Sequence, residues 1–421
     1  MDEKKSSTQL ESEKKNALWI DHFLERLLSH EELNPPFNIK GDIASDFSNR
    51  CKIYMTLIDE SIKADMNGCG RELRVLKGRV ANIHKCIQKT LEEFLSGDIK
   101  KAYDIFDDIM SKEATIAQLN RISILLKDFC NKEKPLYRVR KSETPLIEHN
   151  QIFHIPFSKR HLVNAQRYSV AGQPCLYLGT SLYVCWQEMG KPDFDKLYIS
   201  SFVTNDVNST ILNFASPHLS LPIKKTVDEN KIYDENRTKA SYLIFWPLLI
   251  ACNYLKRVEN SSFTPEYIIP NLLMQWIGRR VKSPIAGIAY YSTKMPNSRS
   301  SKYSVNVVLP PKATYKQSIQ YDFCPKLASY FEFTAPMSWQ VLKTLDYQNQ
   351  FEISNEQRIA IDYLRKKEKL SGIANFEEDI VKLYPLTDFH KLELLVDRLF
   401  KHQKNRTYTA HVSGDTLAAE H

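Results

Sequence analysis

The chain has 421 residues, 43% of them hydrophobic and 26% charged, and its net charge of +8 arises from cations dispersed among 50 acidic residues. This composition excludes wholesale disorder, and the length calls for two or three domains at roughly 100 to 200 residues each. The dispersed cations argue against a nucleic-acid-binding stripe and suit a phosphate-bearing small ligand.

Residues 1–16 are polar and charged without an apolar run, so a disordered tail is expected there rather than a secretory signal. From Ala17 onward Leu18, Ile20, His22, Phe23, Leu24, Leu27 and Leu28 recur at helical spacing, and similar stripes run over 53–62 and 116–129. Breaks at Asn34-Pro35-Pro36 and Asn67-Gly68-Cys69-Gly70 predict three to six helices, hence an all-α domain over 17–133. Within it Arg79 and His84 stand at the Arg-x4-His spacing of HEPN ribonucleases. A solvated helix-face histidine is the simpler reading, and an interaction or RNA-targeting module built on this pair is kept as an alternative function.

Past Lys134-Pro135 the texture changes to short β-rich runs at 136–140, 175–178, 196–202, 285–291 and 304–309. Helical stretches at 181–189, 241–257 and 270–281 lie between them, which predicts an α+β domain over 134–345 rather than a doubly wound sheet. The apolar run from Tyr242 to Tyr254 is interrupted by Pro247 and Asn253 and is too short for the roughly 20 residues of a membrane span. Helical spacing returns in a C-terminal segment over 346–402, and a second disordered tail is expected over 403–421.

Gly68-Cys69-Gly70 is followed by Leu73 where a dinucleotide fingerprint needs a third glycine, and no phosphate-binding P-loop is present. None of the eight cysteines pairs with another at a two-residue gap. Reduced, buried thiols in a cytosolic protein are therefore expected, with no metal site. His154 within Phe153-His154-Ile155-Pro156-Phe157 reads as a satisfied core histidine.

The central region carries the chemistry. Tyr137-Arg138-Val139-Arg140, Arg167-Tyr168-Ser169, Leu176-Tyr177-Leu178, Cys185-Trp186-Gln187-Glu188, Gly287-Ile288-Ala289-Tyr290-Tyr291-Ser292 and the run from Asn306 to Pro310 follow one another in order. Together these segments resemble the RES domain, a family named for an arginine, a glutamate and a serine, over about residues 134–320. The three would be Arg138 or Arg167, Glu188 and Ser292. The resemblance implies an ADP-ribosyltransferase-like fold with a mixed sheet, and NAD+ phosphorylase or glycohydrolase activity. It also implies the toxin role of a toxin-antitoxin pair.

On that likeness Glu188, Arg138 and Ser292 are the catalytic candidates, while Arg138, Arg167, Tyr168, Ser169, Tyr177 and Ser292 are the NAD+-binding ones. NAD+ is then a substrate rather than a cofactor, and inorganic phosphate a co-substrate. The implied partners are an antitoxin or regulatory protein and further copies of the chain, without membrane or nucleic acid. The variant enzymatic reading is ADP-ribosyl transfer to a macromolecule.

These residue types suit the reaction on their own terms. Cleaving the bond between ribose and nicotinamide passes through an oxocarbenium-like state that a carboxylate stabilises, and nicotinamide leaves as a neutral molecule. A guanidinium binds phosphate oxygens in a bidentate fork, and a tyrosine offers a flat face with a hydroxyl. The chain departs from compact RES proteins at Ala165-Gln166-Arg167-Tyr168-Ser169, where two glycines commonly precede the arginine and an asparagine follows the aromatic. The interval between Glu188 and Ser292 is also long enough for an inserted helical element.

Overall fold

The computed structural model describes residues 7–64, 70–220, 228, 231–295, 301–344, 353–371 and 376–402. The tail expected over 403–421 and the break at Asn67-Gly68-Cys69 lie outside them. The chain is α+β and forms two compact units. The first comprises Met1–Ser123, Gln166–Tyr168 and Leu212–Trp276, and the second Ile124–Ala165, Ser169–Ile211 and Ile277–His421. This interleaving differs from a single boundary near residue 133, because 212–276 cluster with the N-terminal helices rather than with the strands around them.

The first unit is helical: α1 (Ser7–Ser29), α2 (Ile43–Lys63), α3 (Gly70–Leu95), α4 (Ile99–Met110), α5 (Glu113–Arg121) and, later in the chain, α7 (Ile232–Ile244) and α8 (Trp246–Cys252). Helix α1 starts inside the expected tail of 1–16. Asp42 and Asp98 cap α2 and α4 by accepting from Ser45 N at 3.0 Å and Lys101 N at 2.9 Å. The helix expected through 116–129 stops at Arg121, where the Ser123 hydroxyl donates to the Leu119 carbonyl at 2.9 Å, and the strand Ser123–Leu125 follows. The helix expected over 241–257 is broken at Phe245 (φ −88°, ψ 10°), since Pro247 has no N–H to continue a helix but fits its first turn.

Buried charges knit this unit together. Lys239 Nζ lies 2.8 Å from both Asp21 and Glu235, and Asp46 accepts from Arg50 Nε at 2.7 Å and Tyr254 Oη at 2.8 Å. Tyr54 Oη donates to the Leu243 carbonyl at 2.7 Å.

The second unit holds an antiparallel sheet of β1 (Leu136–Lys141), β2 (Leu176–Gly179), β3 (Leu197–Val203), β4 (Ile285–Tyr291), β5 (Val305–Leu309) and β6 (Glu332–Phe333). The spatial order is β4-β5-β2-β1-β3-β6, and β7 (Met337–Ser338) also pairs with β3. Register sets Tyr137 opposite Gly179, Gly179 opposite Asn306, and Asn306 opposite Tyr290. Period-two alternation therefore puts Tyr137, Gly179, Asn306 and Tyr290 on one face.

On that face lies α6 (Leu182–Glu188), where Leu182 packs with Tyr137, Val139 and the residues Leu392 and Val396 of α9 (Asp388–His402). The expected C-terminal helical segment thus reaches the core of this unit. Among the described residues no helix is long and apolar enough to cross a membrane.

His154 is a satisfied core residue: Nδ1 bonds the Ile155 carbonyl at 2.8 Å and Nε2 accepts from Cys324 N at 2.9 Å. Both ring nitrogens are used by the neutral tautomer, and burial pushes the pKa down from 6.5 to about 4. A depressed folded pKa gives stability that is complete above pH 6.5 and is lost as pH falls towards 4, at most about 3 kcal/mol. Urea midpoints measured between pH 7 and 4 are expected to fall more steeply for the natural chain than for His154→Gln. Equal slopes would remove His154 from the acid response.

Candidate functional site

Helix α6 is held at its start, its underside and its end. Ser181 caps it by accepting from Val184 N at 3.0 Å, and its own hydroxyl donates to the Tyr303 carbonyl at 2.7 Å. The Leu182 N–H donates to Glu393 Oε1 at 2.7 Å, and Tyr384 Oη donates to the same carboxylate. Burial raises the pKa of Glu393, and a carboxylate there also faces the positive end of the helix dipole.

Beneath the helix, a Cβ on Gly179 would stand 2.6 Å from both Cys185 Sγ and Val184 Cγ1. Only glycine lets α6 lie this close to β2. At the far end Lys294 Nζ donates to the Glu188 carbonyl at 2.9 Å, placing a cation at the helix C-terminus.

These contacts fix Glu188, the last residue of α6. Its Oε1 accepts from Ser292 Oγ at 2.6 Å and from Asn306 Nδ2 at 2.7 Å. Ser292 and Asn306 are 0% and 5% exposed, so neither donor can swing out to water in place of the carboxylate. The Ser292 hydroxyl accepts from Lys294 N at 3.1 Å, which leaves its proton directed at Glu188. Both of these bonds fall on Oε1, and among the described residues none is made to Oε2, which can accept from a ligand hydroxyl. The nearby Cys185 thiol is pushed up to about 12 by burial, which removes it as a nucleophile near neutral pH.

Glu188 and Ser292, far apart in sequence, are therefore brought into direct contact. Asn306 completes the group; its signal in the sequence is a lone amide within Val-Asn-Val-Val-Leu, since a polar side chain on an otherwise apolar buried strand requires a partner. Tyr177 Oη and Ser169 Oγ stand 3.0 Å apart, joining two more candidates.

The surroundings of Arg138, a catalytic and NAD+-binding candidate, differ from those of Glu188. Tyr137 and Val139 flank it and pack beneath α6, so strand alternation turns Arg138 to the opposite face. Its Nη1 donates to the Tyr177 carbonyl at 2.7 Å, its buried Nε has no hydrogen-bond partner, and no ion pair joins it to Glu188. Burial first, and the Arg140 charge second, press its pKa down, although a guanidinium stays protonated. A desolvated cation with a free N–H attracts an anion.

Arg167 and Tyr168 belong to the first unit. Arg167 is 8% exposed, donates from Nη1 to the carbonyls of Tyr254 at 2.7 Å and Cys252 at 3.3 Å, and stacks over Tyr267 at 5.3 Å. These contacts tie Nη1 to main-chain carbonyls of the first unit, whereas the sequence suggests a pyrophosphate ligand. Tyr168 is buried beside Cys252. Arg79 and His84 are five residues apart on α3 and take different surroundings: Arg79 is exposed, whereas the His84 ring meets Phe47 edge-on at 5.7 Å. The described cysteines are free, and among the described residues no group of His, Cys, Asp and Glu is arranged to hold a metal.

The chain is similar to a Bacillus subtilis (strain 168) protein named "Putative toxin YopC", with 32% identity over 276 residues. The match covers 63% of this chain and 60% of that protein's length. No protein-family model matches the chain, and no solved structure does. The likeness to RES domains accordingly rests on the residues themselves.

Proposed function

We propose that the chain is a toxin that degrades NAD+ by cleaving the bond between nicotinamide and ribose. The observation that carries this reading is Glu188 itself, a carboxylate aimed by Ser292 and Asn306 through one oxygen while the other stays open. Similarity to a protein named as a toxin supports the cellular role.

In the reaction the bond from ribose C1′ to the nicotinamide nitrogen breaks, and its electron pair leaves with neutral nicotinamide. Glu188 accepts from a ribose hydroxyl and stabilises the positive charge that grows on the sugar. Phosphate or water then adds to C1′, with water losing its proton to solvent. Tyr177 offers its ring and hydroxyl to the nicotinamide ribose, and Ser292 positions Glu188. Neither metal nor resident cofactor takes part in this scheme; NAD+ is the substrate and phosphate the candidate co-substrate.

Products separate the variants. With NAD+ labelled in its adenylate half, hydrolysis gives ADP-ribose whether or not phosphate is present, and phosphorolysis gives its 1″-phosphate ester only with phosphate. Label retained on protein or RNA in a lysate, without free ADP-ribose, would instead establish transfer. Growth arrest by Glu188→Gln equal to that of the natural chain, together with relief by Arg79→Ala, would favour the helical unit as the toxic module.

A further inference from the structure

The helical unit contains a concave surface that the reaction at Glu188 does not use. A cavity of about 720 Å³ lies among α3, α4, α5 and the end of α7, and a second of about 340 Å³ shares Arg79, Gln118, Arg121 and Ile244 with it. Arg79, Lys85, Lys89, Lys112 and Arg121 line the larger and Arg237 the smaller, whereas Asp108 is the one carboxylate on either among the described residues. Asp108 pairs with Lys112 at 3.5 Å, and among the described residues no carboxylate pairs with Arg79, Lys85, Lys89 or Arg121.

The floor is apolar, with Ile83, Ile109 and the buried Phe245. We propose that this groove binds a nucleotide-class ligand, a small molecule with several phosphates and a flat apolar ring. Two guanidiniums at the junction of the two cavities, Arg79 and Arg121, and a third in the smaller one, Arg237, match phosphate oxygens in fork geometry, and the lysines along α3 extend the same potential. The volume is that of a small-molecule site, and the apolar floor gives a ring somewhere to lie.

Like charges gathered without counter-ions repel one another. Arg121 records this: burial first, then the charges of Arg237 and Arg79, make its protonated state less favourable, and the negative charge of a bound polyphosphate would offset the two like-charge contributions. Arg237 is meanwhile held in place, donating to Tyr233 Oη at 3.0 Å with its guanidinium 5.0 Å over that ring. Lines of cations also suit RNA, but the concavity and its apolar floor favour a compact ligand over an extended strand.

The test uses the full chain with ATP and inorganic triphosphate as probes, followed by calorimetry at low and raised salt. The proposal expects both to bind, ATP more tightly, and Arg121→Ala or Arg79→Ala to weaken each by about tenfold or more. Arg121→Lys should recover part of the loss. Arg74→Ala, an exposed change on α3 away from the groove, is expected to leave binding unchanged, and thermal midpoints of all variants should match the natural chain because the altered side chains carry little packing. Absence of binding overturns the proposal. So does an Arg74→Ala loss equal to that of Arg121→Ala, and so does a short RNA that binds more tightly than ATP and displaces it. ATP held elsewhere, at the Glu188 site included, would be insensitive to Arg79 and Arg121, which separates failure here from failure of the NAD+ reading.

Discussion

Replacing Glu188 with glutamine is expected to lower the rate of nicotinamide release from NAD+ by about a hundredfold to a thousandfold while KM changes little. The amide keeps the shape of the side chain and an oxygen that can accept from Ser292 and Asn306, but loses the negative charge. Because that charge acts on the cationic sugar of the transition state rather than on bound substrate, the loss falls on kcat. The thermal midpoint should stay near that of the natural chain, which distinguishes a chemical defect from unfolding. Asn306→Ala leaves the carboxylate but frees its orientation, so a smaller loss, about tenfold, is expected. Equal loss from both substitutions would mean that orientation rather than charge governs the rate.

Much of this site is legible in the sequence. The β-rich runs at 136–140 and 285–291 correspond to Leu136–Lys141 and Ile285–Tyr291, and the stretch 181–189 to Leu182–Glu188, because alternation, turn residues and a serine cap are local signals. The meeting of Glu188 with Ser292 was suggested by the resemblance to RES domains more than by spacing. What escaped was set by long-range packing. Arg167 looks like a free cation in sequence, and only the folded chain shows its Nη1 bonded to the carbonyls of Cys252 and Tyr254. The face taken by Arg138 depends on strand register, which single-residue patterns do not display. Residues 212–276 joined the helical unit although they lie between strands, and no local propensity encodes such interleaving.

Replacing Gly287 with alanine is expected to destabilise the sheet by roughly 3 kcal/mol or more. A Cβ at Gly287 would stand 2.2 Å from the Val308 carbonyl oxygen and 3.0 Å from Leu309 Cγ. The nearer atom is backbone of the paired strand β5, so no rotamer change relieves the overlap, and β4 or β5 must shift. Ser292 follows β4 and Asn306 lies on β5, so the shift would disturb both donors to Glu188. A thermal midpoint about 10 °C lower, with nicotinamide release falling alongside it, is the expected outcome. Gly78 supplies the contrast: it lies within α3 with nothing within 4 Å of a built Cβ, and Gly78→Ala should be neutral or stabilising by up to about 1 kcal/mol. Similar midpoints for the two variants would show that close strand approach at Gly287 is not limiting.

The most direct measurement is the time course of free nicotinamide when the purified full chain is mixed with NAD+ in phosphate buffer, run beside Glu188→Gln. Sustained release by the natural chain and almost none by the variant at equal folded concentration is expected if Glu188 drives cleavage of NAD+. No release by the natural chain with or without phosphate, or equal release by both proteins, would contradict it.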